Sequence, residues 1–156
     1  MPAIRFETPA TDALLEEWRH VHNVIIPTAP LSLEEVRERS TRNHLELAYV
    51  DDVLVGNSTV WPPSAEIPVA RVIARVLPDH RRRGYGEQIY RRAVAHARRL
   101  GATRLGTVVL ASNTDGLRFA QDHGFVETER YLRPEDTIPW IELETTLATA
   151  EGQPDS

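Results

Sequence analysis

The stretch VLPDHRRRGYGEQIY, Val76 to Tyr90, decides how this chain is read. Upstream of it, Val69 to Leu77 alternates with Val72, Ala74 and Val76 on one face, the period of a strand. Pro78 ends that strand, because it has no amide to donate and fixes its own backbone angle. Downstream, Ile89, Ala93, Ala97 and Leu100 recur at helical spacing until Gly101. Two glycines therefore sit where a strand reverses into a helix. Without a Cβ at Gly84 or Gly86 the backbone is free to take unusual dihedrals, and a ligand can approach it closely. The first turn of a helix leaves about four N–H groups without partners, and the macrodipole adds roughly half a positive charge there. Arg81, Arg82 and Arg83 reinforce the field, so this turn suits a pyrophosphate.

The flanking sequence supplies the rest of the architecture. Ile4 to Glu7 reads as a short strand, followed by a helix that starts at Thr11-Asp12 and carries Leu14, Leu15, Trp18 and Val21. After the break at Pro27 and Pro30, Ser32-Leu33-Glu34-Glu35 is a capping box that opens a second helix to about Arg42. Leu45, Leu47 and Tyr49 alternate, Asp51-Asp52 turns the chain, and Val53, Val55 and then Thr59-Val60 form the returning strand. WPPSAEIP is a rigid loop. Beyond the glycine turn, Arg104 to Leu110 is a buried strand and Asn113 to His123 a helix capped by Gly124. Phe125 to Leu132 and Trp140 to Leu147 are two last strands. The expected order is β-α-α-β-β-β-α-β-α-β-β, an α/β (α+β) chain with about seven strands and four helices in a single domain, residues 1–147, and a flexible tail, 148–156.

Composition narrows the function classes. At 156 residues, 41% apolar and 26% charged, the chain is the size and make-up of one ordinary globular domain. It has no apolar run near the roughly 20 residues of a bilayer span and no basic-then-apolar leader, so the expectation is a cytoplasmic protein with no membrane partner. With no cysteine, disulfides, thiolate nucleophiles and cysteine zinc sites are excluded. All 18 basic residues are arginine, which removes lysine Schiff bases and a Walker loop. The formal charge of -5 argues against nucleic acid as a partner. The six histidines include no i, i+4 zinc pair with its glutamate, so no metal site is expected. His80 lies inside the turn, and its reading as a surface histidine beside arginines outweighs a ligand contact.

The segment VLPDHRRRGYGEQIY resembles the coenzyme-A-binding motif of the GCN5-related N-acetyltransferase (GNAT) family, Arg or Gln, two residues, Gly, one residue, Gly or Ala. ASNTDGLRFAQDHGFV resembles the same family's later motif, with Asn113, Gly124 and Phe125 in place. The order of elements is similar to the family's from Ile4 to about Leu147. The resemblance implies a mixed, mostly antiparallel sheet of the acyl-CoA N-acyltransferase fold. It implies acetyl-CoA as cosubstrate, its pyrophosphate held at Arg81, Arg82, Arg83, Gly84, Tyr85, Gly86 and Glu87, and a pantetheine arm along Val76 and Leu77 with Asn113 beside it. The activity it implies is acetyl transfer to a primary amine by direct attack, and family habit implies a homodimer.

The sequence departs from the family in its proton-handling groups. The tyrosine that usually stands four residues before the later glycine is Ala120 here, which leaves Ser112 and Tyr131 as hydroxyl candidates for protonating the thiolate. The usual glutamate on the preceding strand is missing: that strand offers Arg71 and Arg75, and the nearest carboxylate is Glu66, the candidate base. Trp61 and Trp140 are read as core before pocket lining. A rival reading keeps the cradle without the chemistry, as an acyl-CoA-binding regulatory or accessory domain; an interaction module built on the arginine-rich helix is weaker. The residues leave the acceptor open between small amine, amino acid, aminoglycoside, polyamine and peptide or protein N-terminus.

Overall fold

The computed structural model describes residues 3–147, and the tail read at 148–156 lies outside them. Seven strands form one sheet in the order β1-β2-β3-β4-β5-β7-β6. They are β1 (Arg5–Glu7), β2 (His44–Val50), β3 (Val53–Trp61), β4 (Val69–Val76), β5 (Arg104–Leu110), β6 (Val126–Tyr131) and β7 (Trp140–Thr146). The helices are α1 (Asp12–Ile25), α2 (Leu33–Arg42), α3 (Tyr85–Arg99) and α4 (Thr114–Asp122). This is the mixed, mostly antiparallel sheet with four helices that the sequence implies, in the expected order.

Local chemistry accounts for the element ends. The Thr11 side chain accepts from the Leu14 amide to start α1, and the Ser32–Glu35 capping box forms in full at α2. Asn113 caps α4 by accepting from the Gly116 amide at 3.0 Å. The β2–β3 hairpin turns on Asp51 and Asp52, both with positive φ, as the tight two-residue turn requires. One expectation is corrected: β3 does not lapse between Val55 and Thr59 but runs through Gly56, Asn57 and Ser58. Gly56 belongs in it because a Cβ there would lie 2.1 Å from the Arg75 carbonyl oxygen, and Asn57 because its Nδ2 donates to the Trp18 carbonyl.

The two faces of the sheet are covered by different helices. Even positions on β4 (Ala70, Val72, Ala74, Val76) pack with Ile89, Ala93 and Ala97 of α3. On the opposite face, Leu45, Leu47 and Tyr49 of β2 meet Leu15 and Trp18 of α1 and Val36 of α2. The Trp18 indole N–H reaches the Ser58 carbonyl, tying α1 to β3.

All neighbouring strands are antiparallel except β4 and β5. That parallel pair holds only over Val69–Arg71 against Arg104–Gly106, while β4 continues to Val76 and β5 to Leu110. Beyond Arg71 the two strands diverge, and the facing edges of the sheet lose their hydrogen-bond partners. Unpaired strand edge inside a protein is costly and needs something to bind it.

Candidate functional site

The divergence of β4 and β5 opens a cavity of 610 Å³. Val72 to Val76 line one side and Thr107 to Leu110 the other. The α3 turn and α4 border the gap on one face of the sheet. Ile25 to Thr28, which follow from α1, border it on the opposite face. The gap therefore passes through the sheet and gives access from both sides.

At the end of β4 a short 3₁₀ turn, Pro78–His80, leads into the glycine turn. Arg82 has φ +65° and Gly84 φ +83°. Left-handed residues set among right-handed ones curl successive amides toward one point, a concavity that binds anions. The amides of His80 and Arg81 bond back to Leu77 and Pro78, and that of Gln88 to Gly84. The six between, Arg82 to Glu87, donate to no group among the described residues. Gly86 has helical geometry, so nothing in the backbone calls for glycine. A Cβ there would meet only Val76 and Phe119, at 3.6 and 4.0 Å, so the missing side chain keeps cleft space open.

The structure brings together Val76, Arg81, Arg82, Gly84, Gly86, Glu87 and Asn113 around the cavity, with His80 also at its edge. Leu77, Arg83 and Tyr85 of the expected set are not in its lining. The Tyr85 ring is buried beside Ile89 under the sheet, leaving its amide as the part turned to the concavity. The Arg81 guanidinium folds back to donate to the Val76 carbonyl at 2.9 Å. Arg82 and Arg83 are exposed and pair with no acidic residue among those described.

Glu66 is corrected as a candidate base. It lies exposed in the loop before β4, whereas the cavity opens at the strand's other end. Seven residue steps at about 3.3 Å each separate the two ends of β4. Of the carboxylates that do line the cleft, Glu87 accepts from Arg91 Nε at 2.8 Å and pairs with His123 Nε2 at 2.7 Å. Burial works against its charge, but those bonds outweigh burial and hold the carboxyl below its usual range. The other ring nitrogen of His123 faces the Phe119 carbonyl. Asp115 is in the first turn of α4.

Ala120 lines the cleft, packed into the core of α3, α4 and β5. The hydroxyls that line the cleft belong to Thr28, Tyr90, Thr107 and Ser112. Tyr131 is not among them. Tyr90 was missed in the sequence although it falls one turn after Gly86 and so shares its face. Burial first, and then the Glu87 charge, pushes the Tyr90 phenol up to about 12. Trp140 is buried and Trp61 half-buried beneath the Arg71 guanidinium, both outside the cavity wall. Among the described residues no cluster of three or more His, Asp or Glu could hold a metal, and no helix is long and apolar enough to cross a membrane.

The family profile described as Acetyltransferase (GNAT) family matches residues 11–125. Solved structures share the fold at low identity. Ard1 from Thermoplasma volcanium has a TM-score of 0.80 at 16% identity, the alignment covering 94% of this chain and 99% of that one. The ribosomal-protein-S18-alanine N-acetyltransferase from Escherichia coli has 0.76 at 16%, covering 95% and 96%. The yncA protein from Salmonella typhimurium, solved with its cofactor acetyl-CoA, has 0.72 at 16%, covering 99% of each. No curated protein matches the sequence.

Proposed function

The chain belongs to the acetyltransferase (GNAT) family, and from that premise we propose that it transfers an acetyl group from acetyl-CoA to a primary amine by direct attack. The observation that carries the reading is the run of six free amides, Arg82 to Glu87, at one mouth of a gap that crosses the sheet. A pyrophosphate fits that concavity: it offers many acceptor oxygens to N–H groups that lack acceptors, at a helix N-terminus beside three arginines. The bare face of Gly86 leaves room for it. Bound there, acetyl-CoA supplies an activated thioester carbonyl and a thiolate leaving group.

The chain's own contribution is position and field. The edges of β4 and β5 beyond Arg71 and Gly106 offer unpaired backbone groups to an extended pantetheine arm and one N–H to polarise the acyl oxygen. The amine enters from the α1–α2 face, where Ile25 to Thr28 exclude water. No glutamate serves as base on that side, so the amine gives up its proton to solvent. Ser112 Oγ is assigned the proton delivered to sulfur, in place of the phenol that Ala120 lacks.

The test is CoA release from acetyl-CoA with an amine panel, followed by a thiol reagent and confirmed by product mass. Turnover of at least one amine, with the product heavier by one acetyl group, is the expected result. Tight acetyl-CoA binding without turnover of any amine would favour the second reading, a CoA-binding accessory domain, to which Ala120 and the missing base point.

A further inference from the structure

Ten of the chain's arginines have an aspartate or glutamate within ion-pair distance, most of them on open surface. Of the eight that have none among the described residues, Arg75 is the one on β4, and it lines the cleft. Its titratable neighbours are Arg39 of α2 and the neutral His22 of α1, neither of them acidic. Burial first, and then the charge of Arg39, brings its pKa down to about 10. Its cross-strand neighbour on β3 is Asn57, whose Oδ1 is buried without a donor. Arg75 is half-buried in the cleft wall, and no carboxylate among the described residues pairs with its guanidinium, which leaves its N–H groups free for a ligand.

We propose that the acceptor carries an acid group beside its amine, a carboxylate or phosphinate, and that Arg75 is the residue that grips it. This rests on the acetyl-transfer reading above. The cofactor's phosphates are not the missing partner. Side chains on β4 alternate, so Ala74 and Val76 point to the α3 face, where the glycine turn lies, and Arg75 to the α1–α2 face. Guanidinium matches such an acid with two parallel N–H bonds, which fixes the acceptor's orientation as well as its charge.

The surroundings narrow the class further. Ile25, Ile26, Pro27 and Ile73 make the acceptor side apolar, and 610 Å³ is shared with the pantetheine end, so the acceptor is small. A free α-amino acid or its phosphinic analogue with an apolar side chain fits. A polyamine would bring positive charge to an unpaired arginine. Pairing of the acid with Arg75 also removes the negative charge that stabilises the neighbouring ammonium. The reactive neutral amine forms more readily, which matters in a cleft with no free carboxylate on that face.

The experiment compares apolar α-amino acids and their phosphinic analogues with the matching carboxamides and decarboxylated amines, at saturating acetyl-CoA. Wild type, Arg75→Gln and Arg75→Lys are assayed for turnover, and acetyl-CoA affinity is measured by calorimetry in each. Acid-bearing amines are expected to be acetylated, with kcat/KM at least about 10²-fold above their amides. Arg75→Gln should lose about as much, mostly in KM, Arg75→Lys should recover part of it, and acetyl-CoA affinity should be unchanged, which also reports an intact fold. The two acid arms decide between carboxylate and phosphinate. The inference is overturned by any of three results: amides or plain amines accepted as well as the free acids; an Arg75→Gln variant with unaltered kcat/KM for the acids; or no acid-bearing amine turned over or bound by the acetyl-CoA complex. Failure of the wild type to bind acetyl-CoA would instead overturn the acetyl-transfer reading itself.

Discussion

The two walls of the cleft are built from the same unit, a strand feeding a helix, yet they carry different chemistry. On the β4–α3 wall the connection makes a 3₁₀ turn, passes through two left-handed residues and leaves six amides free. On the β5–α4 wall the connection is closed on itself: the Asn113 amide bonds to Leu110, and its side chain caps Gly116. Both helix starts have the same partial charge and both border the cleft, but only the first leaves a run of amides without acceptors there. On the proposed reading, helix polarity becomes a phosphate site where the turn before it withholds its own acceptors.

Four substitutions and one titration break or sharpen that contrast. The largest effect on stability is expected at Gly56→Ala, where the new Cβ would collide with the Arg75 carbonyl and push the end of β4 away from β3. About 3 kcal/mol should be lost, seen as a lower midpoint in urea unfolding. Next comes a reciprocal pair. Gly86→Leu should change stability by less than about 1 kcal/mol, since the residue is helical, while acetyl-CoA affinity falls at least about tenfold because the longer side chain fills the cleft space that glycine leaves open. Asn113→Ala should do the reverse, costing about 1 kcal/mol through the lost cap with only a few-fold change in affinity. Parallel calorimetry and denaturation on both variants would read the crossover; equal effects from the two would erase the distinction between the walls.

The last effect, read against pH and not by substitution alone, lies behind the first wall. Burial first, with the Arg75 charge adding to it, lowers the His22 imidazole to about 4, whereas the unfolded ring titrates near 6.5. The native state therefore disfavours protonation. The stability it contributes is present above pH 6.5 and lost as pH falls from 6.5 through about 4. His22→Leu should flatten the unfolding midpoint over that window, and a slope as steep as wild type would assign the titration elsewhere.

The order of all eleven elements was legible because each carries its own signal, such as the Ser32–Glu35 box, the alternation of β4 and the Gly101 and Gly124 stops. So was the reversal of the chain from strand to helix at Gly84. What stayed hidden depends on contacts between distant segments. Strand composition does not encode that β4 and β5 pair for three residues and then part. Glu66 looked close to the site in sequence, but a strand carries its two ends apart. Arg82 adopts a conformation its side chain disfavours, and only the surrounding turn imposes it. Arg75 read as one more arginine, because the absence of a partner is a property of the folded cleft.

The most direct measurement is calorimetric titration of acetyl-CoA into the wild-type protein beside Gly84→Asp, with circular dichroism to confirm that both are folded. Micromolar binding to the wild type, abolished in the folded variant by a carboxylate set among the free amides, is the expected result. No binding to the wild type, or equal binding to both, would contradict a pyrophosphate site at Arg82 to Glu87.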